Sequence, residues 1–447
     1  MTIDDRALRG LTLSAGDDGF EQAALPWNRA VPQRVSAVVE AEGAADVAAV
    51  VRQAAASGLR VTTQPNGHGA TSGLDGEILI RTSRMRAVEI RPDERVARVE
   101  AGASWGELLA AAAKHDLTGP AGSSPVVSVT GYTLGGGLSW YGRARGLAAN
   151  AVRALEIVDA EGATSRVTAD SDPDLFWALR GGGGDFAVVT ALELELFPAS
   201  RLYGGRLLWP AARAAEVMAA FREITADAPE ELSLWFTLAE FPPFPEVPEP
   251  LRGLAAVMVD LAFLGDAATG RDLVRPLESV PGVLLDTRGE LPVAELGSIC
   301  AEPTEPMPVL SRGELLTDLG DDAVAALLAA TGEGIAPLAT VQVRHLGGAL
   351  ARPRADGGAC GHLAEPYLLS MIAPAPVPEL VAAGTARMGA IAGALAAHTT
   401  GFKPFTFLGD GEPAAAAFPA ATLERLREIK RARDPHGVFR SNFPVLG

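Results

Sequence analysis

The chain has two cysteines, three lysines and four tyrosines among its 447 residues. Cys300 and Cys360 are too few for a disulfide framework or a four-ligand zinc site, so both classes are excluded, and the pair reads as ordinary thiols. Surplus positive charge is also missing: 38 Lys+Arg against 55 Asp+Glu leave −17. A chain of that sign repels phosphate, which opposes nucleic-acid binding, and no metal site is expected. Long apolar runs are absent. The most apolar helical stretch, 377–398, carries Glu379 and Arg387 and reads as a surface helix, not a membrane span. The first ten residues lack an apolar core, so no signal peptide is expected and a cytoplasmic location is the default. Scarce lysine beside abundant alanine suggests a coding bias. Hydrophobic residues at 48% and charged residues at 21% exclude wholesale disorder. At about 100–200 residues per domain, the length predicts two or three domains.

After a polar lead-in ending at Leu25-Pro26-Trp27-Asn28, strands and helices alternate. Strands are predicted at 36–40, 60–63, 77–81 and 95–100, and helices at 46–57 and 105–115. Gly58 closes the first helix as a C′ residue, and Ser104 with Glu107 opens the second as a capping box. Further on, strands are expected at 152–159, 163–168 and 188–197, with a helix at 174–179 opened by Asp172-Pro173. Residues 199–400 change texture. They hold the segment Phe241-Pro242-Pro243-Phe244-Pro245, strand candidates at 255–264 and 340–346, and intervening helices. A last helix spans 420–433. The predicted division is 1–198 (core 35–198), an α+β unit over 199–400, and a return segment over 401–447.

Three glycine loops stand out. Asn66-Gly67-His68-Gly69-Ala70 follows a strand, and small residues there let backbone N–H groups approach an anion. Alone, His68 reads first as structural or solvent-facing. Gly135-Gly136-Gly137, with Gly131 and Gly142 nearby, gives a loose dinucleotide motif, but lies too deep in the chain for a Rossmann unit. Gly181–Gly184 alone is a helix C-cap and loop. Together the loops put bare backbone at element ends over a long span, which favours one extended dinucleotide.

The series Gly67-His68-Gly69, Gly122-Ser123-Ser124-Pro125, Gly131-x-Thr133-Leu134-Gly135-Gly136-Gly137 and Leu175-Phe176-Trp177-Ala178-Leu179-Arg180-Gly181-Gly182-Gly183-Gly184 resembles the berberine-bridge-enzyme-like FAD-linked oxidases of the vanillyl-alcohol-oxidase superfamily. The ending Asp434-Pro435-His436-Gly437-Val438-Phe439-Arg440-Ser441-Asn442 resembles that family's terminal signature. The resemblance implies an α+β fold: a PCMH-type FAD-binding domain of two α+β subdomains, with an inserted α+β substrate domain built on an antiparallel sheet. It also implies FAD held covalently by His68 through the flavin 8α position, where a neutral imidazole attacks an electrophilic methyl. The implied cofactor contacts near it are Pro65, Asn66, Gly67, Gly69, Ala70 and Ser124. Val129, Thr130, Gly131, Thr133, Leu134 and Gly137 follow, then Trp140, Gly184, Val188 and Asn442.

The chain departs from the family at four places. Ser124 stands where many members have a second, cysteinyl attachment, so a single linkage is expected. Gln64 and Asp185 stand where arginine and asparagine are common. Pro404 and Thr406 stand where a tyrosine and an asparagine are usual, which removes the phenolic base. His345 as a replacement base, and Arg344 as holder of an anionic substrate or of the flavin N1–C2 oxygen, are candidates at the end of a strand, the alternative being a structural pair. Tyr141 and Trp140 are candidates for stacking on flavin or substrate, the alternative being ordinary packing. The resemblance implies an oxidase that moves hydride from a small organic molecule to flavin and electrons to O2, giving H2O2, as a monomer or homodimer without membrane or nucleic-acid partners. A dehydrogenase with another acceptor, and a flavoprotein that binds without turnover, remain open alternatives.

Overall fold

The computed structural model describes residues 8–199, 201–243 and 249–447; the first seven residues of the lead-in and Phe244-Pro245 of the proline-rich stretch lie outside them. Three large sheets organise the described chain, beside a two-stranded pairing of Leu117–Thr118 with Phe197–Pro198. The first has four strands in the order Leu11–Ser14, Ala37–Glu40, Ile78–Arg81 and Val61–Thr63. Its last three strands are parallel and Leu11–Ser14 is antiparallel. Helix Ala44–Ala56 makes the crossover from Ala37–Glu40 to Val61–Thr63, and Ile78–Arg81 then pairs between those two strands. Val47, Val50, Val51 and Ala54 fall on one face of that helix and share a core with Val39 and Ile80.

The second sheet is antiparallel, with Val88–Arg91, Val96–Glu100, Val188–Glu195, Val152–Val158 and Thr164–Val167 side by side. Helix Trp105–Ala112 starts at the predicted capping box: Ser104 accepts from the Glu107 amide, and the Glu107 carboxylate accepts from the Ser104 amide.

The third sheet is also antiparallel. Arg201–Pro210, Ala255–Phe263, Leu232–Glu240, Thr340–His345, Tyr367–Pro374 and Val309–Leu316 follow one another across it, with two short strands at the Arg201–Pro210 edge. Alternation divides its two faces. Leu234, Phe236, Val259, Val341 and Val343 share a core with helix residues Val217, Phe221 and Met388. The intervening side chains point the other way. In particular Asp260, Trp235 and Arg344 stand in register on adjacent strands. This second face packs on the N-terminal half: Trp235 stacks on Trp140 at 3.6 Å, and the Ser233 hydroxyl donates to the Trp140 carbonyl.

The chain end returns to the first sheet. Val61 donates to the Val438 carbonyl at 2.7 Å, and Arg440 donates to the Val61 carbonyl at 2.9 Å. The α+β class holds, and the inserted sheet is antiparallel as expected. No helix among the described residues is long and apolar enough to cross a membrane.

Candidate active site

The His68 loop leaves strand Val61–Thr63 and is fastened on three sides. Trp27 donates its amide to the Asn66 carbonyl at 2.7 Å, and Asn66 Nδ2 donates to the Val126 carbonyl at 2.8 Å. Asn442 Nδ2 donates to the Gly69 carbonyl, and Thr71 Oγ1 donates to the Asn442 carbonyl at 3.1 Å. Gly67 sits at φ +79°, and a Cβ there would press on Pro26 at 2.7 Å, so glycine is required. Below the loop, Arg81 donates to Gln64 Oε1 and to the carbonyls of Ala23, Ala24 and Leu25. Gln64, the departure noted above, is therefore an acceptor for a buried guanidinium that also fixes the segment leading to Trp27.

The indole of Trp27 lies on the His68 ring at 3.9 Å and 18°. His68 Nδ1 is buried with no hydrogen-bond partner among the described residues. Burial lowers the His68 pKa to about 4, so the imidazole is neutral at physiological pH. Ser124 Oγ and Thr130 Oγ1, on either side of Val126 in the sequence, are likewise buried and unpartnered among the described residues.

The glycines divide into two groups. Gly69, Gly131 and Gly184 are exposed, and a Cβ on any of them meets at most one atom, at 3.9 Å. The others are filled by protein. Gly135 receives Thr406, Gly137 receives Tyr132 and Ala148, Gly181 receives Cys360, and Gly183 receives Phe405. Much of the glycine run thus serves packing between chain segments, and the bare backbone facing outward reduces to three positions. Pro65 lies half-buried in the His68 loop, whereas Ala70 is buried at the end of it. Val129, Thr133, Leu134, Trp140 and Val188 have core side chains, so only their main chain is available to a ligand.

Arg344 and His345 are not brought together. As neighbours on one strand they point to opposite faces. Arg344 lies over the Trp235 ring at 3.8 Å, on the face toward the N-terminal half. His345 turns to the helix side, near Tyr367 at 5.5 Å, and its Nε2 accepts from Arg143 Nη1 at 3.0 Å. Since arginine can only donate, the ring proton resides on Nδ1. Burial and the charge of Arg143 lower the His345 pKa to about 3, which makes it a weak proton acceptor. Tyr141 is core: its ring meets Phe197 edge-on at 5.2 Å, and burial raises its hydroxyl pKa. Beyond Pro404, a short helix spans Phe405–Phe407, with Phe405 against Gly183 and Phe407 against Gly313.

Trp27, Tyr132 and Arg143 were not singled out by sequence. Trp27 carries no local signal. Tyr132 stood as the variable position of a glycine motif, and its hydroxyl is buried without a partner.

The two histidines give a pH dependence. Unfolded, both titrate near 6.5; folded, they stay neutral to about 4 and about 3. Between pH 6.5 and 4 the unfolded chain binds more protons, so stability falls as pH is lowered through that window. His345→Gln, which keeps an acceptor for Arg143, is expected to flatten the dependence of the urea midpoint on pH between 6.5 and 4. An unchanged slope would mean that His345 is not held neutral.

Residues 35–168 match the family model described as an FAD binding domain. An FAD-dependent monooxygenase of Fusarium proliferatum is 34% identical over 219 residues, 48% of this chain and 42% of the relative. (R)-6-hydroxynicotine oxidase of Paenarthrobacter nicotinovorans is 32% identical over 208 residues, 45% of each chain. The chain thus matches less than half the length of these two curated relatives. Among solved structures, 6-hydroxy-D-nicotine oxidase from Arthrobacter nicotinovorans superposes with a TM-score of 0.80 at 23% identity, covering 97% of both chains. The BBE-like 1 protein of Physcomitrella patens gives 0.84 at 20% identity, covering 98% of this chain and 97% of the other. Those two likenesses establish the fold. The unpartnered atoms of His68, Ser124 and Thr130 and the open backbone at Gly69, Gly131 and Gly184 fit a flavin dinucleotide. Residues 35–168 thus carry an FAD binding domain, curated relatives of this part are FAD-linked oxidoreductases, and the chain as a whole shares its fold with 6-hydroxy-D-nicotine oxidase and the BBE-like 1 protein.

Proposed function

We propose that the protein is an FAD-dependent oxidase acting on a small organic substrate, an alcohol, an amine or an activated C–H compound, with O2 as the electron acceptor and His68 as the single covalent tether. The observation that carries this reading is the neutral, unpartnered imidazole of His68, held flat by Trp27 in a loop fastened to Val126 and Asn442. FAD, when bound, supplies the two-electron acceptor, and the protein supplies position and charge. His68 gives the neutral nitrogen that attachment needs. Ser124 offers a hydroxyl for hydrogen bonding but is a poor nucleophile near neutral pH. The polar face of the eight-stranded sheet, with Arg344 and Gln342, supplies the substrate side. No side chain of Phe405–Phe407 takes up a proton, so the reading favours substrates that lose hydride without a phenolate base. The division at 198 and 400 belongs to the same proposal, supported by the passage of the chain into the large sheet at Arg201.

The test is anaerobic addition of a panel of alcohols and amines to the yellow protein. Bleaching by one of them, followed on aeration by peroxide in near-equal amount to substrate consumed, is the expected result. Bleaching with recovery through a dye and no peroxide would replace the oxidase by a dehydrogenase. A protein that acquires no FAD overturns the reading.

A further inference from the structure

Arg344 is a cation that the protein orients but does not neutralise. Its guanidinium lies 3.8 Å over Trp235 and 5.4 Å from the Phe407 ring centre, so aromatic surface shields it. Its Nε donates to Gln342 Oε1 at 2.6 Å, and Gln342 Nε2 donates to the buried Thr237 hydroxyl at 3.0 Å. That relay fixes the plane of the fork. Gln342 is the one hydrogen-bond partner its guanidinium has among the described residues, so both terminal NH2 groups are uncommitted. The residue keeps partial exposure within the sheet face.

The nearby acids do not complete the pair. Asp260 is engaged by Arg206 at 2.6 and 3.2 Å, and the charge of Glu302 reaches Arg344 without an ion pair. A second unpartnered donor lies in the same neighbourhood. The Tyr132 hydroxyl is buried, and the charge of Arg344 acts on it. A planar fork with two free amino groups suits a carboxylate. The negative charges of Asp260 and Glu302 near Arg344 weigh against a dianion.

We propose that Arg344 anchors a carboxylate of the substrate, so that the oxidised molecule is a small organic monoanion whose apolar part lies toward Phe407 and Tyr132. This rests on the oxidase reading for the word substrate, but not for the binding itself.

The test titrates the purified protein with benzoate, benzamide and phenyl phosphate, following both flavin absorbance and tryptophan fluorescence. Benzoate is expected to saturate at a concentration about tenfold or more below benzamide. Arg344→Gln should bring benzoate to the benzamide level while the melting temperature stays near wild type. Arg344→Lys, which keeps charge but loses the fork, should recover part of the difference. Equal binding of benzoate and benzamide, or an unaltered benzoate titration in a folded Arg344→Gln, overturns the proposal. Tighter binding of phenyl phosphate would overturn the carboxylate assignment. Because fluorescence needs no flavin, benzoate selectivity in a protein that never turns over would sink the oxidase reading and leave the anion site standing.

Discussion

Replacing His68 by alanine is expected to move the yellow colour of acid-precipitated protein from the pellet to the supernatant. Acid unfolds the chain and releases any flavin held only by contacts, so colour in the pellet reports a covalent bond. The wild-type pellet should keep nearly all its colour and the variant nearly none, the largest change available from one side chain. The reason lies in the ring itself. Burial keeps the imidazole neutral down to about pH 4, and its Nδ1 is not spent on a protein partner. The open backbone at Gly69, Gly131 and Gly184 is untouched by the substitution, so the variant should still bind FAD reversibly and purify yellow. Trp27→Ala provides a graded control. It removes the surface on which the ring lies, and the acid-stable fraction should fall severalfold without reaching zero. Wild-type colour in the supernatant would end the covalent proposal, and pellet colour in His68→Ala would show that another residue carries the flavin.

Lys430→Met is expected to cost about 3–5 kcal/mol of stability, because it strands two buried carboxylates without their cation. Lys430 Nζ donates to Asp434 Oδ2 at 2.8 Å and to the carbonyls of Asp185 and Phe439, and it lies 3.5 Å from Asp185 Oδ1. Asp434 accepts from the amides of Val438 and Phe439, and Asp185 accepts from those of Ser441 and Val445. All three side chains are at most 5% exposed. The cluster therefore holds the last ten or so residues, Asn442 among them, against the glycine loop that ends at Asp185. Urea denaturation should show a lower midpoint with little change in slope. Arg425→Ala, which breaks an exposed pair with Asp174, should change stability by less than about 1 kcal/mol. Equal effects of the two substitutions would mean that the buried triad is not an anchor.

These two sites show what a sequence discloses. Local rules worked where the cause is local. The capping box at Ser104, the Asp172 cap with Pro173 behind it, and helix Ala420–Arg433 all formed as read. Strand Leu11–Ser14 did not show, because four residues in a polar lead-in become a strand only through pairing with Ala37–Glu40. His68 was legible through its glycines and the family resemblance, whereas Trp27, forty-one residues earlier, is joined to it only by the fold. The glycine run misled in part. Its absent side chains leave room for Thr406, Cys360 and Phe405, neighbours that no local pattern names. The pairing of Arg344 with His345 separated for a simpler reason, since adjacent strand positions face opposite ways. Asp185 became intelligible only when Lys430 was placed beside it.

Arg143 has a consequence for how the two halves are joined. From the N-terminal half, its guanidinium donates to the carbonyls of Leu232, Ala228, Pro229 and Leu346 and to His345, all in the half built on the large sheet. Swinging the two halves apart would expose five acceptors and a bare cation at once, so the joint behaves as a rivet and not as a hinge.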